Sequence, residues 1–144
     1  MRYDIENQLS VAQAFTATAV STNSYKKQSA VQDLSIGRLM CLVVYPTVDS
    51  GAGSTHVLAA IQTTDSALTA GLVVLGSITV LAADLIVGSK HIIPIPQGTM
   101  NLQYIGFRDS ISGGTTTVTL DVYLMPLDEV ESFKTFPKVV DAEV

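Results

Sequence analysis

The sequence predicts an all-β fold, an antiparallel β-sandwich or barrel, on three observations. Runs rich in Val, Ile, Thr and Tyr recur along the chain, separated by turn residues every 8 to about 15 positions. Apolar and polar residues alternate with the two-residue period of a strand, most clearly from Thr117 to Leu124. The small and β-branched opening, "VAQAFTATAVSTNSYKK", carries no helical stripe, and no helix is predicted elsewhere to cover a sheet. With 144 residues, 47% of them hydrophobic, the chain suffices for one domain with its own core. The expected organisation is an N-terminal arm over 1–18, a β-sandwich domain over 19–126 and a C-terminal tail over 127–144.

Taken in order, the arm runs into a strand near Val20 to Tyr25. "RLMCLVVYP" reads as a strand stopped by Pro46, because proline cannot donate to a ladder. "DSGAGS" is a loop and "THVLAAIQTTD" the next strand. "LTAGLVVLGSITVLAADLIVG" then predicts either two strands joined near Gly76 or one long bent strand. "KHIIPIP" is a strand interrupted by Pro94, which places it at a sheet edge or bulge. "LQYIGFRD" and "TTTVTLDVYLM" flank "SISGG" and form the clearest predicted hairpin.

The 18 uncharged residues from Ser66 to Ala83 reach the length of a membrane helix. Gly71, Gly76, Ser66, Thr69, Ser77 and Thr79 interrupt them, Val and Ile abound, and no Lys or Arg cluster flanks them. The run is therefore read as strand, with no membrane partner.

The faces of the strands differ. In the last strand Val118, Leu120, Val122 and Leu124 point one way, towards a core, while Thr117, Thr119, Asp121 and Tyr123 point towards water. In "LMCLVVY", Leu39, Cys41, Val43 and Tyr45 share one face, and Met40, Leu42 and Val44 the other, so neither face is polar. Leu72, Val74, Ile78 and Val80 likewise oppose Val73 and Leu75. A second face of this kind needs a cover, and another copy of the chain is the expected one.

Charge is concentrated at the ends. Residues 1–27 hold five charged side chains, residues 127–144 hold seven, and the 99 residues between hold nine, far below the ordinary share of about 25%. A net charge of −5 and the absence of a basic stripe argue against nucleic-acid binding. Cys41 is the only cysteine, so no intramolecular disulfide or cysteine-rich metal site forms, which fits assembly in a reducing cytosol. The N-terminal "MRYDIENQLS" is acidic and lacks the apolar run of an export signal.

Catalytic and metal chemistry find little support. His56 and His91 are 35 positions apart without ligand spacing, and are read as strand histidines on a surface or subunit contact. Cys41 sits in an apolar strand, where a buried inert thiol is expected. "DSGAGST" lacks the lysine and helix of a phosphate loop. Asp65, Asp84, Asp109 and Asp121 are scattered singly, most beside a turn. No enzyme, cofactor or metal is expected. A glycan-binding β-sandwich on a virion or cell surface is the alternative, weakened by the absence of Trp and by only 6% aromatics.

The tail "LDEVESFKTFPKVVDAEV" places Phe133, Phe136, Val139 and Val140 between charges, as in segments that order on docking. Fully extended it spans about 60 Å, against a radius of gyration of about 15 Å for a domain of this size. Beyond the tail, "AQAFTATAVSTN" (12–23), "GRLMCLVVYPT" (37–47), "IQTTD" (61–65), "HIIPIPQG" (91–98) and "LQYIGFRD" (102–109) occur in an order that resembles the small cement, or decoration, proteins on the heads of tailed bacteriophages. The acidic N-terminal decapeptide and the long tail depart from that pattern.

The resemblance implies a jelly-roll-like sandwich with extended ends and a homotrimer on the outer surface of the phage head, made in the host cytoplasm. The implied role is non-enzymatic: clamping neighbouring major capsid proteins and stabilising the expanded capsid. On that reading Arg2, Tyr3 and Phe15 of the arm, and Phe133 and Phe136 of the tail, are the expected capsid or subunit contacts. The uncharged threonine face would meet a capsid without costly ion desolvation.

Overall fold

The computed structural model describes residues 8–27, 39–50, 53–113, 117–127 and 130. Among them are nine strands: β1 Gln8–Phe15, β2 Ala19–Val20, β3 Tyr25–Lys26, β4 Met40–Val48, β5 Thr55–Thr63, β6 Val73–Leu81, β7 His91–Ile95, β8 Tyr104–Ser112 and β9 Val118–Pro126. The first sheet has the order β1-β9-β4-β7 and the second β2-β8-β5-β6, with β3 also paired to β8. Every pairing is antiparallel. Except for β2–β3 and β5–β6, consecutive strands lie in opposite sheets, which is the wrapping of a jelly roll.

The predicted alternation builds the core. Val118, Leu120, Val122 and Leu124 of β9, with Leu42 and Val44 of the neighbouring β4, face Leu58 and Ala60 of β5 and Ile105 and Phe107 of β8. Each large aliphatic side chain enclosed this way contributes about 1.5–3 kcal/mol.

Several elements differ from expectation. The predicted β8–β9 hairpin does not form, because β8 pairs with β5 and β9 with β4 and β1. Both strands carry an apolar face, and apolar faces are buried opposite one another across a core rather than side by side in one ladder. Gly113, with φ +85°, therefore begins a passage between sheets instead of a hairpin turn.

Pro46 does not end its strand; β4 continues to Val48. β7 pairs only with Met40–Val44, so β4 has no neighbour on that side at Pro46 and the missing N–H breaks no ladder bond. The arm expected over 1–18 is, from Gln8 to Phe15, an edge strand of the first sheet. The strand expected near Val20 to Tyr25 is two separate two-residue pairings on β8.

Of the two readings of the uncharged run, the single bent strand is correct. Ala60 pairs with Gly76 and Ile61 with Val74, so Leu75 is an inserted bulge residue. The bulge shifts the alternation by one and turns Leu75 into the core beside Ile78 and Val80. β7, with Pro94, lies at the edge of its sheet as predicted.

The apolar second faces of both sheets are covered in part from within the chain. Cys41 and Val43 are buried against Tyr45, Ile92, Tyr123, Met125, Leu127 and Val130, and the Leu127 N–H bonds the Leu39 carbonyl at 2.8 Å. On the second sheet, Ala59 and Ile61 are capped by Leu68 and Leu72 from the β5–β6 connection. Leu68, in the left-handed region at φ +61°, sits over Gly106, where any Cβ would overlap it. The tail beyond Val130, including the Phe133 and Phe136 expected as contacts, lies outside the described residues, as do Arg2 and Tyr3.

Candidate interaction surface and a buried histidine centre

Burial of Phe15 removes one expected contact. Its ring is fully enclosed and stands edge-on to Phe107, with centroids 5.6 Å apart and planes at 87°, so it anchors β1 to the core of its own chain.

His56 is also enclosed, contrary to its expected place at a surface. It shares the inward parity of β5 with Leu58 and Ala60, while Asp109 shares that of β8 with Phe107 and Ile111. Leu58 pairs with Asp109 in the ladder, so His56 lies diagonally across from the carboxylate. His56 Nδ1 approaches Asp109 Oδ2 at 2.9 Å and Oδ1 at 3.1 Å, and Nε2 lies 3.0 Å from Ser54 Oγ. Desolvation pushes the Asp109 carboxyl above the usual carboxylate range, and the hydrogen bond from His56 opposes it.

Ser, His and Asp stand in the hydrogen-bond order of a nucleophilic triad. Here the imidazole and carboxylate are fully enclosed and the serine is 6% exposed. In this setting the array acts as a polar strut tying β5 to β8 inside the sandwich. The signal that could have located it is parity: "H-x-L-x-A" on one strand and "I-x-F-x-D-x-I" on the other put one polar group on each apolar face.

Cys41 behaves as expected of a buried thiol. Desolvation pushes its pKa up to about 12, with Lys90 opposing weakly, so the reactive thiolate is suppressed at neutral pH. His91, half-buried on β7, lies 3.1 Å from Ser89 Oγ through Nε2. Among the described residues no group of three or more His, Cys, Asp or Glu could hold a metal, and no helix is long and apolar enough to cross a membrane.

Two surfaces remain open. One is an apolar ledge at an end of the sandwich, formed by Leu81 (57% exposed), Ile86 (47%), Val87 (59%) and Val48 (55%). The ledge is held together by Ser50 N–H donating to the Leu85 carbonyl and Val87 N–H to Asp49 Oδ1, at 2.9 and 2.7 Å. At the far end of β6, Val73 and Val74 are also exposed. β6 is the outer strand of its sheet, its sequence contains no charge, and among the described residues its backbone bonds only to β5.

The other surface is the part of the outward side of the second sheet that Leu68 and Leu72 leave uncovered. Ladder pairing places Val20, Arg108, Ala59 and Ser77 in one row and Ser110, Val57 and Thr79 in the next. Arg108 is the only charged residue in these rows, and its guanidinium has no hydrogen-bond or ion-pair partner among the described residues. Its Nε is buried and unbonded, an omission that ordinarily costs about 1–3 kcal/mol. On the first sheet the expected threonine face is present, with Thr117 exposed and Thr119 half-buried. Asp121 on that face accepts the Ala12 N–H at 2.6 Å across the β1 bulge.

No curated protein matches the chain. The model of the Bbp16 family matches residues 9–123, from the second residue of β1 to the middle of β9. That span takes in β2 to β8 whole and most of β1 and β9, and on it the chain belongs to the Bbp16 family.

Proposed function

We propose that this chain is a cement, or decoration, protein of a tailed-bacteriophage head. It binds the outer surface of the shell as a homotrimer, bridges neighbouring major capsid proteins and stabilises the expanded capsid without catalysing a reaction. Membership of the Bbp16 family supports a phage-related role, and the ordered motifs from Ala12 to Asp109 resemble cement proteins.

The observation that carries the reading is the ledge of Leu81, Ile86, Val87 and Val48. The chain spends two of its own segments covering the apolar outer sides of its sheets, yet leaves this surface bare. Contiguous apolar surface of this kind marks a protein contact. Repeated weak contacts on a lattice, multiplied by trimer valency, give firm attachment through effective concentration.

The test mixes purified chain with expanded heads assembled without it, and measures co-sedimentation and the temperature of head disruption. Binding in a fixed ratio to the shell protein, with a higher disruption temperature, is expected. Leu81→Lys combined with Val87→Lys should abolish it. Heads that neither bind the wild-type chain nor gain stability refute the role, and a solution mass of one chain refutes the trimer.

A further inference from the structure

We infer that the outward side of the second sheet is a docking face for a carboxylate-bearing surface of the shell protein, with Arg108 as its anchor; this rests on the capsid role proposed above. Three features point to that partner. Leu68 covers Ala59 on one side of Arg108, while Ser110, Val57 and Thr79 on the other side are uncharged and half-buried or exposed, so a neighbouring backbone can approach the guanidinium from there. Arg108 has no acid within reach among the described residues, and the acid next to it in sequence, Asp109, points through the sheet to His56. The Nε is withdrawn from water and lacks an acceptor, so the terminal nitrogens are the donors left for a partner.

Charge complementarity selects the occupant. A planar fork of donors fits a carboxylate, which accepts two parallel bonds from it. A polyanion such as nucleic acid would need several cations and is repelled by a net charge of −5. A lone carboxylate set in a protein surface meets neither obstacle. The exposed Ser77 and Thr79, one strand beyond Ala59 and Val57 on β6, carry short hydroxyls able to accept or donate at the rim.

The experiment compares head binding by the wild-type chain, Arg108→Gln, Arg108→Lys and a charge-matched control at the exposed Gln97 after β7, Gln97→Glu, each with the thermal unfolding and solution mass of the free protein. Arg108→Gln should weaken binding about 10- to 100-fold, Arg108→Lys should recover part of it by keeping the charge without the fork, and Gln97→Glu should stay within about twofold. Wild-type affinity for Arg108→Gln overturns the inference while leaving the capsid role intact. So does a change in its solution mass, which would make the face a contact between copies. Failure of the wild-type chain itself to bind heads removes the capsid role and this docking face together.

Discussion

Replacing Asp109 with Ala should destabilise the fold strongly, because the carboxylate is the acceptor for an imidazole enclosed between the sheets. His56 Nδ1 meets Asp109 at 2.9 and 3.1 Å and both side chains are fully buried. Breaking such a pair by removing one partner costs about 3–5 kcal/mol. The lower end applies here, since Nε2 keeps its contact with Ser54 Oγ at 3.0 Å. For a domain of this length, about 3 kcal/mol lowers the melting temperature by about 10 °C. The assay is thermal unfolding followed by circular dichroism, with chemical denaturation for the free energy. A second variant isolates the cause: His56→Leu combined with Asp109→Leu leaves no buried charge, and should lie within about 1.5 kcal/mol of wild type, since apolar replacement of a buried pair is often neutral. If Asp109→Ala melts within about 2 °C of wild type, or if the double variant falls as far as the single one, the strut is not what ties β5 to β8.

Two further outcomes follow from the β5–β6 connection. Gly106→Ala should cost about 1–3 kcal/mol in denaturant unfolding, because its methyl would overlap Leu68 where that residue caps Ala59 and Ile61; an unchanged midpoint would mean that Leu68 yields freely. Asp65 accepts from the N–H groups of Thr69 and Ala70 at 3.2 and 3.0 Å and from the Thr69 hydroxyl at 3.1 Å, which holds its carboxyl below the usual range. A depressed folded pKa means that its contribution is present above the unfolded value near 3.9 and is lost as pH falls through the folded one. Proteolysis of the 64–72 segment should therefore be faster in Asp65→Asn than in wild type at pH 7, with the two converging in acid; a gap independent of pH would sink this reading.

Side-chain alternation has a two-residue period and is a local property, so the all-β class and the inward set Val118, Leu120, Val122 and Leu124 were legible in the sequence. The edge position of β7 was legible for the same reason, since Pro94 removes a donor wherever it stands. Pairing was not. The bond between His56 and Asp109 joins residues 53 apart, and that from Ala12 to Asp121 spans 109, so neither polar group announces its partner in its own strand. The hairpin predicted around Gly113 failed because turn chemistry specifies where a chain bends, while burial of two apolar faces decides which sheet receives the next strand.

The candidate surfaces divide in the same way. A double-faced apolar strand at Cys41 and Val43 could be read from the order of residues alone, and its need for a cover was a sound deduction from hydrophobicity. That Leu127 and Val130 supply part of that cover, that Leu68 does so on the other sheet, and that Arg108 has no acid partner among the described residues depend on which distant segments meet in space. Composition determined that this chain must bury β-strands; only the closed sandwich decided which apolar and charged groups stayed on the outside, because burial is a property of the whole packed chain and not of any one strand.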